Sequence, residues 1–172
     1  MENKALIVVD VQNDFCPGGA LAVPDGDQII QYINDVMDKY DAVVFSRDWH
    51  PADHACFDGE WPAHCVQDTP GAEYHKDLKI PENAVHIKKG MDKEHHPYSA
   101  FDGTELAQAL QHAGVTHITV CGLATDYCVL QTVLDGVKDF KVSLLLDGMA
   151  GITPEGTAAA LNKMFDAGAR PY

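Results

Sequence analysis

The chain has 172 residues, of which 12 are basic and 26 are acidic, giving a formal net charge of −14. This excess of negative charge repels nucleic-acid phosphates and anionic membrane surfaces, so we expect neither as a partner. The composition is 46% hydrophobic and 22% charged, and the length suits one globular domain over residues 1–172 with a sizeable core.

The cysteines and the N-terminal sequence both indicate a reducing compartment. The five cysteines are an odd number, and MENKALIVVDVQ lacks the basic segment, long apolar run and small-residue cleavage site of a secretory signal. No apolar segment reaches the ~20 residues that a membrane helix needs. We therefore expect a cytoplasmic protein with free thiols, and the sequence leaves association into a homo-oligomer open.

Short apolar runs alternate with segments of helical periodicity along the chain. In chain order the predicted elements are strand Lys4–Val9, helix Asp27–Tyr40, strand Ala42–Phe45, strand Ala84–Ile87, helix Thr104–His112, strand His117–Val120, helix Asp126–Lys138, strand Lys141–Leu146 and helix Pro154–Ala167. The alternation predicts an α/β protein with a three-layer, Rossmann-like fold, in which helices flank a mostly parallel central sheet.

Polar and reactive side chains follow the carboxyl ends of the predicted strands. Ligands bind beyond this edge in open parallel sheets. The residues expected there include Asp10, Asp48, Lys89, Cys128 and Asp147. We therefore expect the functional site at this edge.

The segment CGLATDYCV, residues 121–129, leaves the fourth strand and enters a helix. We expect Thr125 to cap that helix, which places Cys128 in its first turn. The positive end of the helix dipole there favours a thiolate, and nearby amides can receive an oxyanion. The alternative is that Cys128, like Cys121, is a small buried hydrophobe.

An acid and a lysine are expected near this thiol. Asp10 can act as a base for the thiol and as an acid for a leaving amine, or it can merely cap a turn. A neighbouring lysine would keep the carboxylate ionised. Lys88 and Lys89 leave the third strand together, and their spacing does not distinguish them.

The segment between Asp48 and Asn83 has no clear period and is too long for an ordinary loop. It carries the metal-ligand candidates Asp48, His50, His54 and His64. Carboxylate and imidazole donors suit zinc, iron(II) or manganese. His95 and His96 are interpreted as part of a solvated turn. Phe15, Trp61 and Tyr98 form either a slot for a flat ring or ordinary packing beneath the loop.

Five segments together resemble the nicotinamidases of the isochorismatase-like cysteine hydrolases over nearly the full length. They are LIVVDVQNDFCPGG (6–19), SRDWHP (46–51), WPAHCVQDTPGAE (61–73), KKGMDKEHHPYSAFDG (88–103) and CGLATDYCV (121–129). The resemblance implies a catalytic triad of Asp10, Lys89 and Cys128. It selects Lys89 over Lys88 because the family's lysine directly precedes a small residue, here Gly90.

The resemblance also implies a metal and a substrate pocket. Asp48, His50 and His64 would hold one divalent ion, which is zinc in the first instance and otherwise iron or manganese. His54 matches a histidine that binds the metal in only some members. A cis peptide between Leu123 and Ala124 would aim the amides of Ala124 and Cys128 at the oxyanion. The residues matching the family's pocket are Phe15, Trp61, Tyr98, Leu123 and Tyr127.

The implied activity is hydrolysis of nicotinamide to nicotinate and ammonia in NAD salvage, through a cysteine thioester, with the metal holding the ring nitrogen. Pyrazinamide is expected as a second small-molecule substrate, because ring shape and one nitrogen do not distinguish it strongly. The alternatives are another amide or ureido hydrolase of the same superfamily, a non-enzymatic metal-binding or interaction domain, and a metal-hydroxide hydrolase with a bystander cysteine.

Overall fold

The computed structural model of the protein describes residues 2–172. Its α-helices and strands are, in chain order, β1 (Asn3–Val9), α1 (Ile30–Val36), β2 (Ala42–Asp48), β3 (Val85–Lys89), α2 (Leu106–His112), β4 (Val115–Leu123), α3 (Leu130–Gly136), β5 (Lys141–Ala150), α4 (Pro154–Asp166) and β6 (Arg170–Pro171). Within residues 2–172, every helix is too short or too polar to cross a bilayer.

The strands form one sheet in the order β3-β2-β1-β4-β5-β6, and every pairing is parallel. Successive residues of β1 face opposite sides of the sheet. Leu6 and Val8 pack into one buried cluster, while Ala5, Ile7 and Val9 pack into another. Because both faces are covered, the central strands are apolar throughout. The predicted three-layer α/β fold is confirmed.

The order of the strands in the sheet reverses direction at β1. The chain passes from β1 to β2 and β3 on one side, and β4 lies on the other side of β1. This reversal opens a crevice at the carboxyl ends of β1 and β4, where doubly wound folds bind their ligands. Asp10 follows β1 directly, and Cys128 lies five residues beyond the end of β4 at Leu123.

Several predicted boundaries are wrong. The predicted helix Asp27–Tyr40 is an α-helix only over Ile30–Val36, with a 3-10 turn on each side. The strand predicted to end at Leu146 continues to Ala150, because the register of β5 against β4 shifts between Val120 and Gly122. Asp147 therefore lies inside β5 with its side chain exposed, and not at the carboxyl edge of the sheet. The two-residue β6 is too short for any periodicity to predict.

Gly122 permits the close contact between β4 and β1. Its φ is +116°, and a Cβ at this position would overlap the backbone of Val9. We expect Gly122→Ala to lower the free energy of unfolding by about 2–4 kcal/mol, measured by urea denaturation. Gly59→Ala is the matched control, because its φ is +101° but its Cβ would meet open space. It should cost only about 1–2 kcal/mol of backbone strain. Equal losses in the two variants would contradict the close-contact explanation.

Candidate active site and metal centre

The side chain of Lys89, the last residue of β3, is completely buried at the carboxyl edge of the sheet. Its Nζ lies 2.9 Å from Asp10 Oδ2, 2.5 Å from Asp48 Oδ1 and 3.5 Å from Cys128 Sγ. Lys88 points the other way, with its Nζ 4.3 Å from the centre of the Trp49 ring. Because side chains alternate along a strand, only one of the two lysines can reach the site.

Asp10 turns inward directly after β1. Its φ is +51°, a conformation that aspartate tolerates better than most residues. The backbone N–H of Asp10 donates to Ser46 O, and Ser46 Oγ donates to Asp10 Oδ1 at 2.7 Å. Burial raises the pKa of Asp10 above its usual range, although the nearby Lys89 ammonium opposes the shift. Ser46 thus binds one oxygen of the Asp10 carboxyl group, Oδ1, while the other oxygen, Oδ2, faces Lys89.

The turn that carries Cys128 differs from the expected capped helix. Thr125–Val129 forms a wide π-helical turn, in which Ala124 O accepts hydrogen bonds from the N–H groups of Tyr127 and Val129. Ala124 therefore occupies the N-cap position, and Thr125 Oγ1 is buried without a hydrogen-bond partner among residues 2–172. The prediction that Thr125 caps this helix is wrong.

Cys128 is buried beside three charged side chains. Burial raises the pKa of the Cys128 thiol well above its usual value; the Lys89 ammonium lowers it, while the carboxylates of Asp10 and Asp48 raise it further. Burial and the two carboxylates thus oppose the thiolate that the helix terminus is expected to favour. Ionisation requires a group that accepts the proton, and Asp10 is the carboxylate on the other side of Lys89.

A cavity lined in part by Cys128 opens beside it. Four of the five predicted pocket residues line it: Phe15, Trp61, Tyr98 and Tyr127. The rings of Trp61 and Tyr127 meet edge to face with centroids 5.3 Å apart, and Trp61 Nε1 donates to Tyr98 Oη at 3.3 Å. These contacts give the cavity a rigid aromatic wall.

Leu123 does not line the cavity. It is the last residue of β4 and is fully buried in the core, so the prediction that it is a pocket residue is wrong. Its neighbour Ala124 lines the cavity instead, and the peptide bond between them is cis, as the resemblance implies. The lining also includes three apolar residues that were not predicted: Leu21, Val23 and Ile152. They lie outside the periodic segments, where a lone apolar residue carries no signal.

Three of the predicted metal ligands converge beside the cavity. Asp48 Oδ2 lies 3.4 Å from His50 Nε2 and 3.7 Å from His64 Nε2. His50 Nδ1 lies 2.9 Å from Gly90 O, and His64 Nδ1 lies 2.8 Å from Pro62 O. Since a carbonyl only accepts, both Nδ1 atoms carry the proton, and both Nε2 lone pairs point toward the carboxylate.

This convergence of lone pairs fits a cation. His50 Nε2 is buried with no hydrogen-bond partner among residues 2–172. Burial opposes ionisation of Asp48, but the Lys89 ammonium counters it, and the pKa of Asp48 lies well below its usual range. An anion facing two imidazole lone pairs is unfavourable in a buried site unless a positive ion lies between them. The donors suit a divalent metal ion such as zinc or iron.

His96, and not His54, lies together with the other candidate metal ligands. Both ring nitrogens of His54 have backbone partners, since Nδ1 accepts from Cys56 N and Nε2 lies 3.0 Å from His95 O. His96 instead joins Asp48, His50 and His64, with one ligand atom from each residue within 4.8 Å of the others. It is half-buried and lines the cavity, so its interpretation as part of a solvated turn is wrong. Burial lowers the pKa of His96 to about 4, which keeps the imidazole neutral.

The isochorismatase-domain family model matches residues 4–172 of this chain. The chain belongs to the isochorismatase-domain family. It is 38% identical to the nicotinamidase of Escherichia coli, over 100% of this chain and 95% of that protein.

Solved structures of this family superpose closely on the chain. The pyrazinamidase of Pyrococcus horikoshii in complex with zinc has a TM-score of 0.95 and 46% identity, covering 99% of this chain and 98% of that one. The PnC1 protein of L. infantum in complex with nicotinate has a TM-score of 0.94 and 35% identity, covering 99% of this chain and 92% of that one. One of these two structures thus holds zinc and the other holds nicotinate.

A divalent ion should stabilise this member of the family. We expect Zn²⁺ to raise the unfolding midpoint of chelator-treated protein, because an ion that binds only the native state adds about 2.7 kcal/mol at 100 times its Kd. In His64→Ala the shift should fall sharply, whereas His117→Ala should retain it, because His117 hydrogen-bonds Ser143 on β5. Differential scanning fluorimetry measures all three proteins. Equal zinc-induced shifts in wild type and His64→Ala would rule out a metal centre at these residues.

Proposed function

We propose that this chain is a nicotinamidase, which hydrolyses nicotinamide to nicotinate and ammonia through a thioester on Cys128. The observation that carries the proposal is the position of Lys89 Nζ, 2.9 Å from Asp10 Oδ2 and 3.5 Å from Cys128 Sγ. These groups lie beside an aromatic cavity that Cys128 itself lines. The choice of substrate is supported by the 38% identity to a nicotinamidase over the whole chain.

The residues proposed to hold the metal are Asp48, His50 and His64, and zinc is the proposed ion. Two imidazoles and a carboxylate are typical zinc donors, and the pyrazinamidase with the same fold is described with zinc. When bound, the ion supplies a Lewis acid to which a pyridine nitrogen can bind.

The aromatic wall is proposed to hold the flat ring of the substrate. Trp61, Tyr98 and Tyr127 lie in mutual contact on the cavity lining, and Phe15 lies against His64 with centroids 5.5 Å apart. Rings of this kind bury a planar substrate and prefer offset or edge-to-face contacts. A ring oriented from the His64 side across this wall would direct its carboxamide toward Cys128.

In the first half-reaction Asp10 takes the proton of the Cys128 thiol, and the sulfur forms a bond to the amide carbon. A base is needed because burial raises the pKa of the Cys128 thiol and so disfavours its ionisation. The backbone N–H groups of Ala124 and Cys128 are proposed to receive the oxyanion. Asp10 then passes its proton to the amide nitrogen, the C–N bond breaks and ammonia leaves a thioester.

The second half-reaction reverses the proton transfers. Asp10 removes a proton from a water molecule, whose oxygen bonds to the thioester carbon, and the collapsing intermediate releases nicotinate. The proton held by Asp10 returns to the Cys128 sulfur. Lys89 keeps its charge throughout and stabilises whichever of the two groups is anionic, because both lie within 3.5 Å of its Nζ.

The state of the cysteines supports a cytoplasmic location. All five are buried free thiols in the structure. Unpaired thiols persist in reducing compartments, where NAD salvage would place a nicotinamidase.

Replacing Cys128 tests the covalent mechanism. We expect Cys128→Ala to lower ammonia release from nicotinamide by at least ~10³-fold, since loss of a nucleophile removes the route through the thioester. Cys121→Ala is the control, because Cys121 is a fully buried cysteine of β4 and is absent from the cavity lining. It should retain most of the activity. Circular dichroism would establish that both variants fold, and near-normal turnover by Cys128→Ala would eliminate the mechanism.

Substrates that differ only in the ring test recognition of the ring nitrogen. We expect pyrazinamide to be hydrolysed with a kcat/KM within about tenfold of that for nicotinamide, because it keeps a ring nitrogen in the same position. Benzamide, which has no ring nitrogen, should be poorer by at least ~10²-fold, because it leaves the recognition site unpaired. Ammonia release measures all three rates. Comparable rates for benzamide and nicotinamide would favour a general amide hydrolase of the same family.

A further inference from the structure

We propose that His96 is a fourth protein ligand of the divalent ion, and that His54, which the family resemblance suggests as a ligand, instead positions the loop that carries His96. This inference extends the proposed function, because it concerns the ion that we place at Asp48, His50 and His64. It assigns metal binding to His96 and positioning of the loop to His54.

The ligand atom of His96 lies near those of the other three candidate ligands, at a spacing wider than that of donors around one bound ion. It lies within 4.8 Å of the ligand atoms of Asp48, His50 and His64. Two donors that are each about 2.1 Å from one tetrahedral zinc ion lie ~3.4 Å apart. The donor atoms therefore need to close by up to about 1.4 Å, which requires rotation of the side chains around the ion. The His54 ring lies nearer to His50, with centroids 4.5 Å apart against 5.3 Å for His96, so the choice between them depends on which ring nitrogen is free and not on ring distance.

His54 has no free lone pair to offer. Its Nδ1 accepts a hydrogen bond from the backbone N–H of Cys56 at 3.1 Å. The other ring nitrogen, Nε2, must then carry the proton of the neutral imidazole, and it donates to His95 O at 3.0 Å. A metal ligand needs an unprotonated nitrogen pointing at the ion, so His54 in this tautomer cannot bind it.

The contacts of His54 place His96 at the site. The Nε2 donor of His54 holds the carbonyl of His95, the residue directly before His96. The backbone N–H of Ala55, next to His54, donates to Lys93 O at 2.8 Å. This is a second hydrogen bond between the His54 segment and the loop that carries His96. A ring that orients a ligand-bearing segment in this way acts on the metal through another residue.

The two neighbours of His96 fix the direction of its side chain. The His95 ring turns outward, and its Nε2 lies 3.1 Å from both carboxylate oxygens of Asp102. Pro97 follows and restricts His96 to an extended backbone, while Pro97 O lies 3.4 Å from Lys89 Nζ. With the loop held on both sides, His96 faces the cavity and His95 faces solvent.

Three imidazoles and one carboxylate would define the properties of the centre. Such a nitrogen-rich set favours zinc, iron or cobalt over magnesium and calcium. Because four protein donors would already fill the usual tetrahedral shell of zinc, substrate or water could join the ion only as a fifth ligand.

Metal titration separates the roles of the histidines. The full-length protein is stripped with a chelator and titrated with Zn²⁺ in competition with a chromogenic chelator, and the Co²⁺ form is examined by visible absorption. We expect His96→Ala to weaken zinc binding at least ~10-fold and to change the Co²⁺ spectrum, because one nitrogen donor is lost. His117→Ala is the control and should retain wild-type affinity and spectrum, because His117 lies on β4 and hydrogen-bonds Ser143. His96→Asn provides a second variant with a smaller change in packing.

His54 is tested by conservative replacement. His54→Gln keeps a side-chain N–H donor for His95 O and should retain the Co²⁺ spectrum and most of the zinc affinity, whereas His54→Ala should lose affinity. Wild-type affinity and spectrum in both His96 variants, or loss of the spectrum in His54→Gln, would overturn the inference while leaving the proposed function intact. Failure of the wild-type protein to bind either ion would overturn the inference together with the metal centre of the proposed function.

Discussion

The buried ammonium of Lys89 holds the candidate site together. It lies between the carboxylates of Asp10 and Asp48 and reaches the sulfur of Cys128, so it joins groups placed by β1, β2 and β4 to its own strand β3. Each of these ions costs several kcal/mol to remove from water, and removing one partner of such a buried group typically costs about 3–5 kcal/mol. The register of the sheet therefore determines whether the charges are compensated.

Asp48 links the proposed catalytic triad to the proposed metal centre, because its two carboxylate oxygens contact different partners. Oδ1 binds Lys89, while Oδ2 faces the Nε2 atoms of His50 and His64. One ammonium against two carboxylates leaves a formal charge of −1 among Lys89, Asp10 and Asp48, and a divalent ion would change it to +1. The electrostatics of the nucleophile and of the metal centre are therefore coupled through one side chain.

The carboxyl edge of the sheet was the most predictable part of the site. Continuous apolar runs ending in polar residues predict the strands and place Asp10, Asp48 and the pair Lys88 and Lys89 at one edge, because parallel strands all end at the same edge. The errors arose where the backbone departs from regular geometry. The sequence predicts a helix cap at Thr125, where the turn is π-helical, and predicts Asp147 beyond a strand that in fact continues through it.

Residue types and spacing alone established the α/β class, the parallel order of its units and a strand edge rich in acid, lysine and thiol, since these depend on local periodicity and chain direction. Tertiary structure decided what periodicity does not encode: that Lys88 faces outward and Lys89 inward, that Leu123 belongs to the core, and that His96 and not His54 reaches the other metal donors. Contacts between loops distant in sequence set the direction of each of these side chains, as when His54 holds the backbone of His95. Hydrogen bonds of that kind depend on the folded positions of both partners, and neither segment specifies them by itself.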